Sequence, residues 1–283
     1  TMLANRADPV ASARFDVTVE ATGGGSIDFG QRAAIYGSFT FIPNLAGSAF
    51  YRRTNDTAAY TLANAAGSAM TSSWFAVAAQ QMWFQVAAKG RIRPFVSPEG
   101  NLLNGTGLGA TISVGNSMYD VKDGLALENQ VYLGMPDGIY QGSRTGTFNN
   151  IMNDLASSID SENFTDLTTH QGSIIGAAGA HIWAFRPSAI QSLVREIGPP
   201  WVGIRPTMGT GPQLRGAFTT VKSYGPWLYA GLFTGSGSIF LAGIDASPGL
   251  PYVWHPLNDF LGLNVKVRHL HVDSITTTSG GIK

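Results

Sequence analysis

The chain has 283 residues, no cysteine, 18 basic and 18 acidic side chains, and only 13% charged residues. It must therefore bury its own core without disulfide bonds, and thiolate metal sites and cysteine nucleophiles are excluded. A formal net charge of zero gives no basic surface for neutralising phosphates, so we expect no nucleic-acid partner.

Glycine is abundant, with 35 residues, beside 14 prolines and 11% aromatic residues. This composition is typical of many short strands joined by tight turns. No apolar run approaches the roughly 18 residues that span a bilayer, so we expect a chain that does not span a membrane. The length allows one domain or two, and we interpret residues 1–283 as a single domain. Residues 1–25 are then either an N-terminal extension or a strand that closes a ring of sheets.

One local pattern recurs along the chain: a strand, a tight turn, and a second strand that ends on an aromatic residue. Repetition of one supersecondary unit every 40 to 50 residues is typical of propeller blades with four strands. The intervals between the closing aromatics range from 32 to 57 residues. The copies lie at 34–51, 74–83, 131–140, 174–183 and 228–241, and their closing aromatics are Tyr51, Trp83, Tyr140, Trp183 and Phe240. We predict that the last four aromatics occupy equivalent positions in successive blades.

Other segments complete this pattern. Strand-like sequences at 109–115 and 216–221 precede two of the hairpins, and an alternating sequence at 263–272 could pair with 13–19 to close a ring. Helical spacing of apolar residues predicts short helices at 147–159 and 188–198. The predicted fold is therefore all-β, a β-propeller-like domain of about five or six blades with short helical insertions in loops. A β-sandwich is the alternative.

Four aromatic residues near proline or glycine are candidates for binding a sugar by stacking: Trp201, Trp227, Tyr252 and Trp254. The structural alternative is that they pack between blades, as tryptophans of β-rich chains commonly do.

The sequence gives weaker indications of metal, phosphate and catalytic sites. His269 and His271 lie two apart on a predicted strand and could share a metal, but no third ligand is evident, so we expect neither metal nor cofactor. The glycine cluster at 105–109 leads into a strand, whereas a phosphate loop must open a helix. No catalytic constellation is recognisable, and we expect no enzymatic activity.

The acidic residues are concentrated in one stretch of the chain. Eight acidic residues against Lys122 and Arg144 give the stretch 120–166 a net charge of −6, which suggests a face for assembly or a solvated acidic region.

The hairpins at 130–140, 172–183 and 225–231 resemble blade hairpins of β-propeller domains in minor tail proteins of long-tailed bacteriophages. In the spacing of its hairpins, the resemblance extends over residues 30 to 275. It implies a virion component of the tail tip or fibre, assembled in the host cytoplasm, that associates with other tail proteins and with itself. It also implies recognition of the host surface, where a glycan or lipid is the expected ligand. The competing interpretation is a secreted or virion-borne propeller that binds or degrades polysaccharide.

Overall fold

The computed structural model describes residues 2–6, 15–19, 32–43, 49–54, 61–64, 72–97, 107–142, 146–152, 159, 161, 163–187, 193–199, 216–233, 238–246 and 252–256. Within these ranges the secondary structure is strand and turn, with no helix. An N-terminal antiparallel pair is formed by β1 (Met2–Arg6) and β2 (Phe15–Val19). Five antiparallel sheets of four strands follow.

In every sheet the strands are adjacent in chain order, so each sheet is a simple meander. Sheet 1 contains β3 (Ala34–Tyr36), β4 (Phe39–Pro43), β5 (Ala49–Thr54) and β6 (Thr61–Asn64). Sheet 2 contains β7 (Ala76–Ala78), β8 (Gln81–Gln85), β9 (Arg91–Phe95) and β10 (Ile112–Ser113). Sheet 3 contains β11 (Asp123–Leu127), β12 (Gln130–Met135), β13 (Gly138–Gly142) and β14 (Phe148–Asn150).

The last two sheets have the same topology. Sheet 4 contains β15 (Leu167–His170), β16 (Ser173–Ala178), β17 (His181–Arg186) and β18 (Leu193–Glu196). Sheet 5 contains β19 (Ala217–Tyr224), β20 (Trp227–Phe233), β21 (Ser238–Ile244) and β22 (Val253–Pro256). A succession of four-stranded meanders is the blade pattern of a propeller, so the all-β, β-propeller-like prediction is confirmed.

The chain divides into two compact units, Thr1–Thr165 and Asp166–Lys283. Sheets 1 to 3 belong to the first unit, and sheets 4 and 5 belong to the second. The interpretation of residues 1–283 as a single domain stays a prediction.

Within each unit, consecutive sheets pack face to face through the alternating side chains of their second strands. Phe41 of β4 shares a buried cluster with Met82 and Phe84 of β8, whereas Trp83 of β8 shares a different cluster with Leu133 of β12. Successive side chains of a strand point to opposite faces. The second strand of a sheet therefore buries one set of side chains against the preceding sheet and the other set against the following sheet.

The first two strands of each sheet are joined by a two-residue turn whose first residue has positive φ, at Gly37-Ser38, Ala79-Gln80, Glu128-Asn129, Gln171-Gly172 and Gly225-Pro226. Positive φ matches the turn to the right-handed twist of the flanking strands. The first turn residues are 42, 49, 43 and 54 residues apart, so these turns mark the repeat more evenly than the closing aromatics do.

Hydrogen bonds connect successive turns of the first unit. The Tyr36 hydroxyl donates to the Gln80 carbonyl oxygen at 2.7 Å. The Ala79 amide donates to Asn129 Oδ1 at 2.6 Å. The turns of sheets 1, 2 and 3 are thus linked in chain order.

The predicted equivalence of the closing aromatics is only partly correct. Trp183 and Phe240 both lie in third strands, opposite a glycine of the second strand. Tyr140 also lies in a third strand but pairs with Leu133, and Trp83 lies in a second strand. The prediction is wrong for Trp83, because the 74–83 hairpin joins the first and second strands of its sheet. It is also wrong for Phe240, which pairs with the fifth residue of its second strand, whereas Tyr140 and Trp183 both pair with the fourth.

The two predicted helices are also wrong where the structure describes them. Residues Leu193–Glu196 form the edge strand β18, which pairs with β17, and Phe148–Asn150 form the edge strand β14. Apolar residues three or four apart fit a helix in isolation, but pairing along an open sheet edge satisfies the backbone instead. Residues 153–158 and 188–192 lie outside the described residues.

The structure defines the partner of the strand at 15–19 and the packing of two glycines in second strands. Residues 15–19 form a strand, but its partner is β1, and the proposed partner at 263–272 lies outside the described residues. A Cβ at Gly134 would overlap the Phe164 carbonyl oxygen, and one at Gly231 would lie 2.6 Å from Thr220 Cγ2. Both second-strand glycines are therefore required by close packing.

The left-handed turn of sheet 2 provides a test of the repeat. Ala79 has a φ of 52°, which strains a residue with a Cβ, so A79G is expected to raise the free energy of unfolding by about 0.5–1 kcal/mol. The neighbouring Ala78 is buried in β7, and A78G is expected to lower the free energy of unfolding by about 1 kcal/mol. Urea denaturation of the two variants measures both changes. Destabilisation by A79G would contradict the assigned turn.

Candidate binding surface on the fifth sheet

One face of sheet 5 carries a continuous set of large apolar side chains. Trp227 of β20 pairs with Tyr224 of β19 and with Ile244 of β21, and Ile244 pairs with Val253 of β22. Residues that pair across antiparallel strands project to the same face. These four side chains therefore form one row across the whole sheet.

Parallel rows extend this face along the strands. Tyr229 pairs with Lys222 and Ala242, and the next row joins Gly231 to Phe240. Phe233 lies two residues beyond Gly231 on the same strand and so on the same face. We call this surface the open face; its large apolar members are Tyr224, Trp227, Tyr229, Phe233, Phe240, Ile244 and Val253.

The open face is exposed to an extent that the corresponding positions of other sheets are not. The exposed fractions are 51% for Tyr224, 49% for Phe233, 50% for Phe240 and 45% for Val253. Tyr229, the third residue of its second strand, is partly exposed. The third residues of the other second strands are fully buried, namely Phe41, Trp83, Tyr132 and Ile175. At this position sheet 5 thus exposes to solvent a large apolar side chain of the kind that the second strands of the other sheets bury.

The opposite face of sheet 5 is part of the core of the second unit. Leu228, Ala230 and Leu232 of β20 are buried in one cluster with Ile175 and Ala177 of sheet 4. This packing leaves one face of the sheet covered and the other exposed, and it holds the open face on a rigid support.

Polar contacts fix sheet 5 to sheet 4 at the first strand. The buried Asp166 carboxylate accepts hydrogen bonds from the Thr220 hydroxyl at 2.6 Å and the Val221 amide at 3.0 Å. The Lys222 ammonium donates to its other oxygen at 3.0 Å. Three donors satisfy a buried carboxylate, so this contact compensates for the cost of removing the charge from water.

A second polar cluster joins the same two sheets around the buried His170. Its Nδ1 lies 2.7 Å from Ser223 Oγ, and Tyr252 packs edge-on against the ring at a centroid distance of 5.9 Å. Burial lowers the pKa of His170 below 6.5, and the charge of Asp245 opposes this shift. The imidazole is therefore held neutral in a packed interface, where it bridges the ends of β15 and β19.

The structure separates the four aromatic candidates for sugar stacking. Trp227 lies on the open face and is partly exposed. Tyr252 and Trp254 are only 5% and 6% exposed, and the Trp254 indole donates to the Ile197 carbonyl oxygen at 2.7 Å. These two residues pack in the core of the second unit, which agrees with the structural alternative given for the four candidates. Trp201 lies outside the described residues.

The sequence did not reveal the other members of the open face. Strand β20 is apolar at nearly every position, from Trp227 to Phe233, which indicates burial on both faces. No residue in the strand distinguishes a face covered by another sheet from one that is exposed. Whether a face of the strand is covered depends on the sheet that packs against it, and the sequence of the strand does not contain that information.

Two other features of the chain concern only the residue ranges that the structure describes. In those ranges no three of the His, Asp and Glu side chains come together as a metal site would require. No helix in them is long and apolar enough to cross a membrane. His269 and His271 lie outside these ranges.

Two solved structures to which this chain is similar are described as an extracellular domain and an exported protein. One is the extracellular domain of BT4673 of B. thetaiotaomicron, described as a hybrid two component system, with a TM-score of 0.53 and 12% identity over 84% of this chain and 29% of that one. Another is BF0058, described as an exported protein, from Bacteroides fragilis NCTC 9343, with a TM-score of 0.50 and 9% identity over 83% of this chain and 73% of that one. These likenesses show the fold alone. The chain spans less than a third of the length of the BT4673 domain. No protein-family model and no curated protein matches the sequence.

The buried His170 predicts a pH dependence of stability. Because its pKa is lower in the folded state, the unfolded state binds the proton more readily, and stability falls as the pH drops below about 6.5. H170N keeps a polar atom near Ser223 but cannot titrate, so it should reduce the loss of melting temperature between about pH 8 and pH 5. H255N, at an exposed position, is the matched control. An unchanged pH dependence in H170N would show that the imidazole does not contribute.

Proposed function

We propose that this chain is a structural and recognition module, not an enzyme, and that it serves as a component of a bacteriophage tail tip or fibre. The open face is its attachment surface. The single observation that carries this proposal is the exposure of Tyr224, Phe233, Phe240 and Val253 on one face of a rigid sheet. Contiguous exposed apolar patches mark interaction sites.

The composition of the open face supports protein attachment. Aromatic side chains are enriched and charged side chains depleted at the centre of protein interfaces. Among the aligned rows of this face, Lys222 is the only residue with a permanent charge, and its ammonium is bonded to Asp166. Such a surface loses little electrostatic solvation when a partner covers it.

The acidic residues of the stretch 120–166 support a structural role in the same way. Asp123 is fully buried and its carboxylate accepts a hydrogen bond from the Arg32 guanidinium at 2.8 Å. Asp137 accepts one from the Tyr140 hydroxyl at 2.9 Å. Together with Asp166, these carboxylates are held by hydrogen bonds within their own unit.

The assignment to a phage tail rests on the hairpins that resemble those of minor tail proteins. They fall on β12–β13, on β16–β17 and on the start of β20, which are second and third strands of successive sheets. A tail tip carries modules in several copies, so weak attachment and weak recognition are both multiplied by effective concentration.

Glycan binding is a second candidate, favoured by Trp227. Its partly exposed ring lies beside Tyr224 in one row of the open face, where a sugar could stack on both rings. A flat aromatic surface of this kind binds an extended polysaccharide without cleaving it.

Locating the chain on virus particles tests the proposal. Particles released by the organism that encodes the chain are labelled with antibodies against it and viewed by electron microscopy. We expect label at the end of the tail. Label that is absent from particles, with the chain recovered only as a free protein, would contradict the tail assignment.

The purified chain is then incubated with polysaccharide from the host envelope, and the polymer length is measured. Unchanged polymer length is expected, and binding that is weakened in W227A but kept in V194A, a substitution on the edge strand β18, would support the glycan role. Depolymerisation that disappears on replacing one carboxylate would show that the chain is an enzyme.

A further inference from the structure

We propose that the partner of the open face is a second copy of this chain, packed sheet on sheet about a two-fold axis. This inference rests on the proposed role of the open face as an attachment surface and names its partner. In a two-fold dimer the same patch must fit itself, so the open face has to be self-complementary in shape and charge.

The shape requirement is met by the register of sheet 5. The open face is a flat set of rows across four strands, and two such sheets pack about 10 Å apart with interdigitating side chains. Gly231 lies between Thr220 and Phe240 in the same row. Thr220 and Phe240 pack over the buried Gly231 in this row, so their side chains form the surface that a second copy would meet.

The charge requirement is met as well. The aligned rows contain two basic side chains, Lys222 and His255, and no carboxylate. The Lys222 ammonium is bonded to Asp166 at 3.0 Å within its own copy. Two copies therefore meet without an unpaired lysine, and a strongly charged partner would gain nothing from this surface.

The apolar area that two open faces can bury limits the affinity of the dimer. Half-exposed aromatic side chains of roughly 200 Å² each, with Val253 and the partly exposed Trp227, Tyr229 and Ile244, give roughly 500 Å² per copy. Both copies together bury roughly 1,000 Å², which is the lower limit for a specific interface. The expected dimer is therefore weak in free solution and becomes stable when an assembly raises the local concentration.

Sedimentation velocity of the full chain from about 1 µM to about 100 µM tests this inference. We expect a concentration-dependent dimer. F240K and V253K, both at exposed positions of the open face, should each weaken dimerisation at least about tenfold, because a lysine would lose its hydration in the interface. V194K is the matched control, since Val194 is an exposed valine of sheet 4 and outside the open face.

A thiol introduced by F240C provides a second readout, since the chain has no cysteine of its own. The thiol of F240C should react with maleimide more slowly at about 100 µM than at about 1 µM, whereas V194C should react equally at both concentrations. A chain that stays monomeric at about 100 µM, or a dimer that F240K and V253K leave unchanged, would overturn the inference. If monomeric F240C also resists maleimide, another part of the same chain covers the face. A dimer without label on phage tails would refute the tail assignment alone, and tail label on a monomeric chain would refute this inference alone.

Discussion

The structure depends on the two-residue period of the β-strand at the centre of each sheet. A second strand that is apolar on both faces can be buried only between two other layers, because one layer covers one set of alternating side chains. Trp83 and Phe84 show this, since adjacent residues of β8 belong to different buried clusters. A second strand of this kind therefore requires apolar packing on both faces, and among the described residues only one face of β20 has it.

Polar contacts determine how the sheets align once the apolar faces have met. The carboxylate of Asp166 accepts hydrogen bonds from a hydroxyl, a backbone amide and an ammonium of β19. His170 contacts Ser223, the next residue along the same strand. These directional bonds fix the register between sheets 4 and 5, which hydrophobic contact alone does not specify. The open face is consequently held in one orientation, as a recognition surface requires.

Much of the fold could be predicted from the sequence, and the errors have a common cause. The hairpins around Gly134, Gly176 and Gly231 were located correctly because turn residues and close-packed glycines are local signals. Edge strands such as β18 were mistaken for helices because an edge has only one paired side and a weak alternation. The exposure of Phe240 and the burial of Trp254 could not be predicted, since both depend on which sheet packs against them and not on the strand that contains them.

The central claim is that equivalent positions of the second strands are covered in the other sheets but open in sheet 5. Hydroxyl-radical footprinting with mass spectrometry at about 0.1 µM, where a weak dimer is dissociated, measures this directly. The structure predicts slow oxidation of Trp83 and Tyr132 and fast oxidation of Tyr224, Tyr229 and Phe240. Oxidation of Trp83 as fast as Tyr224, or protection of Tyr224 and Phe240 in the dilute monomer, would contradict the account.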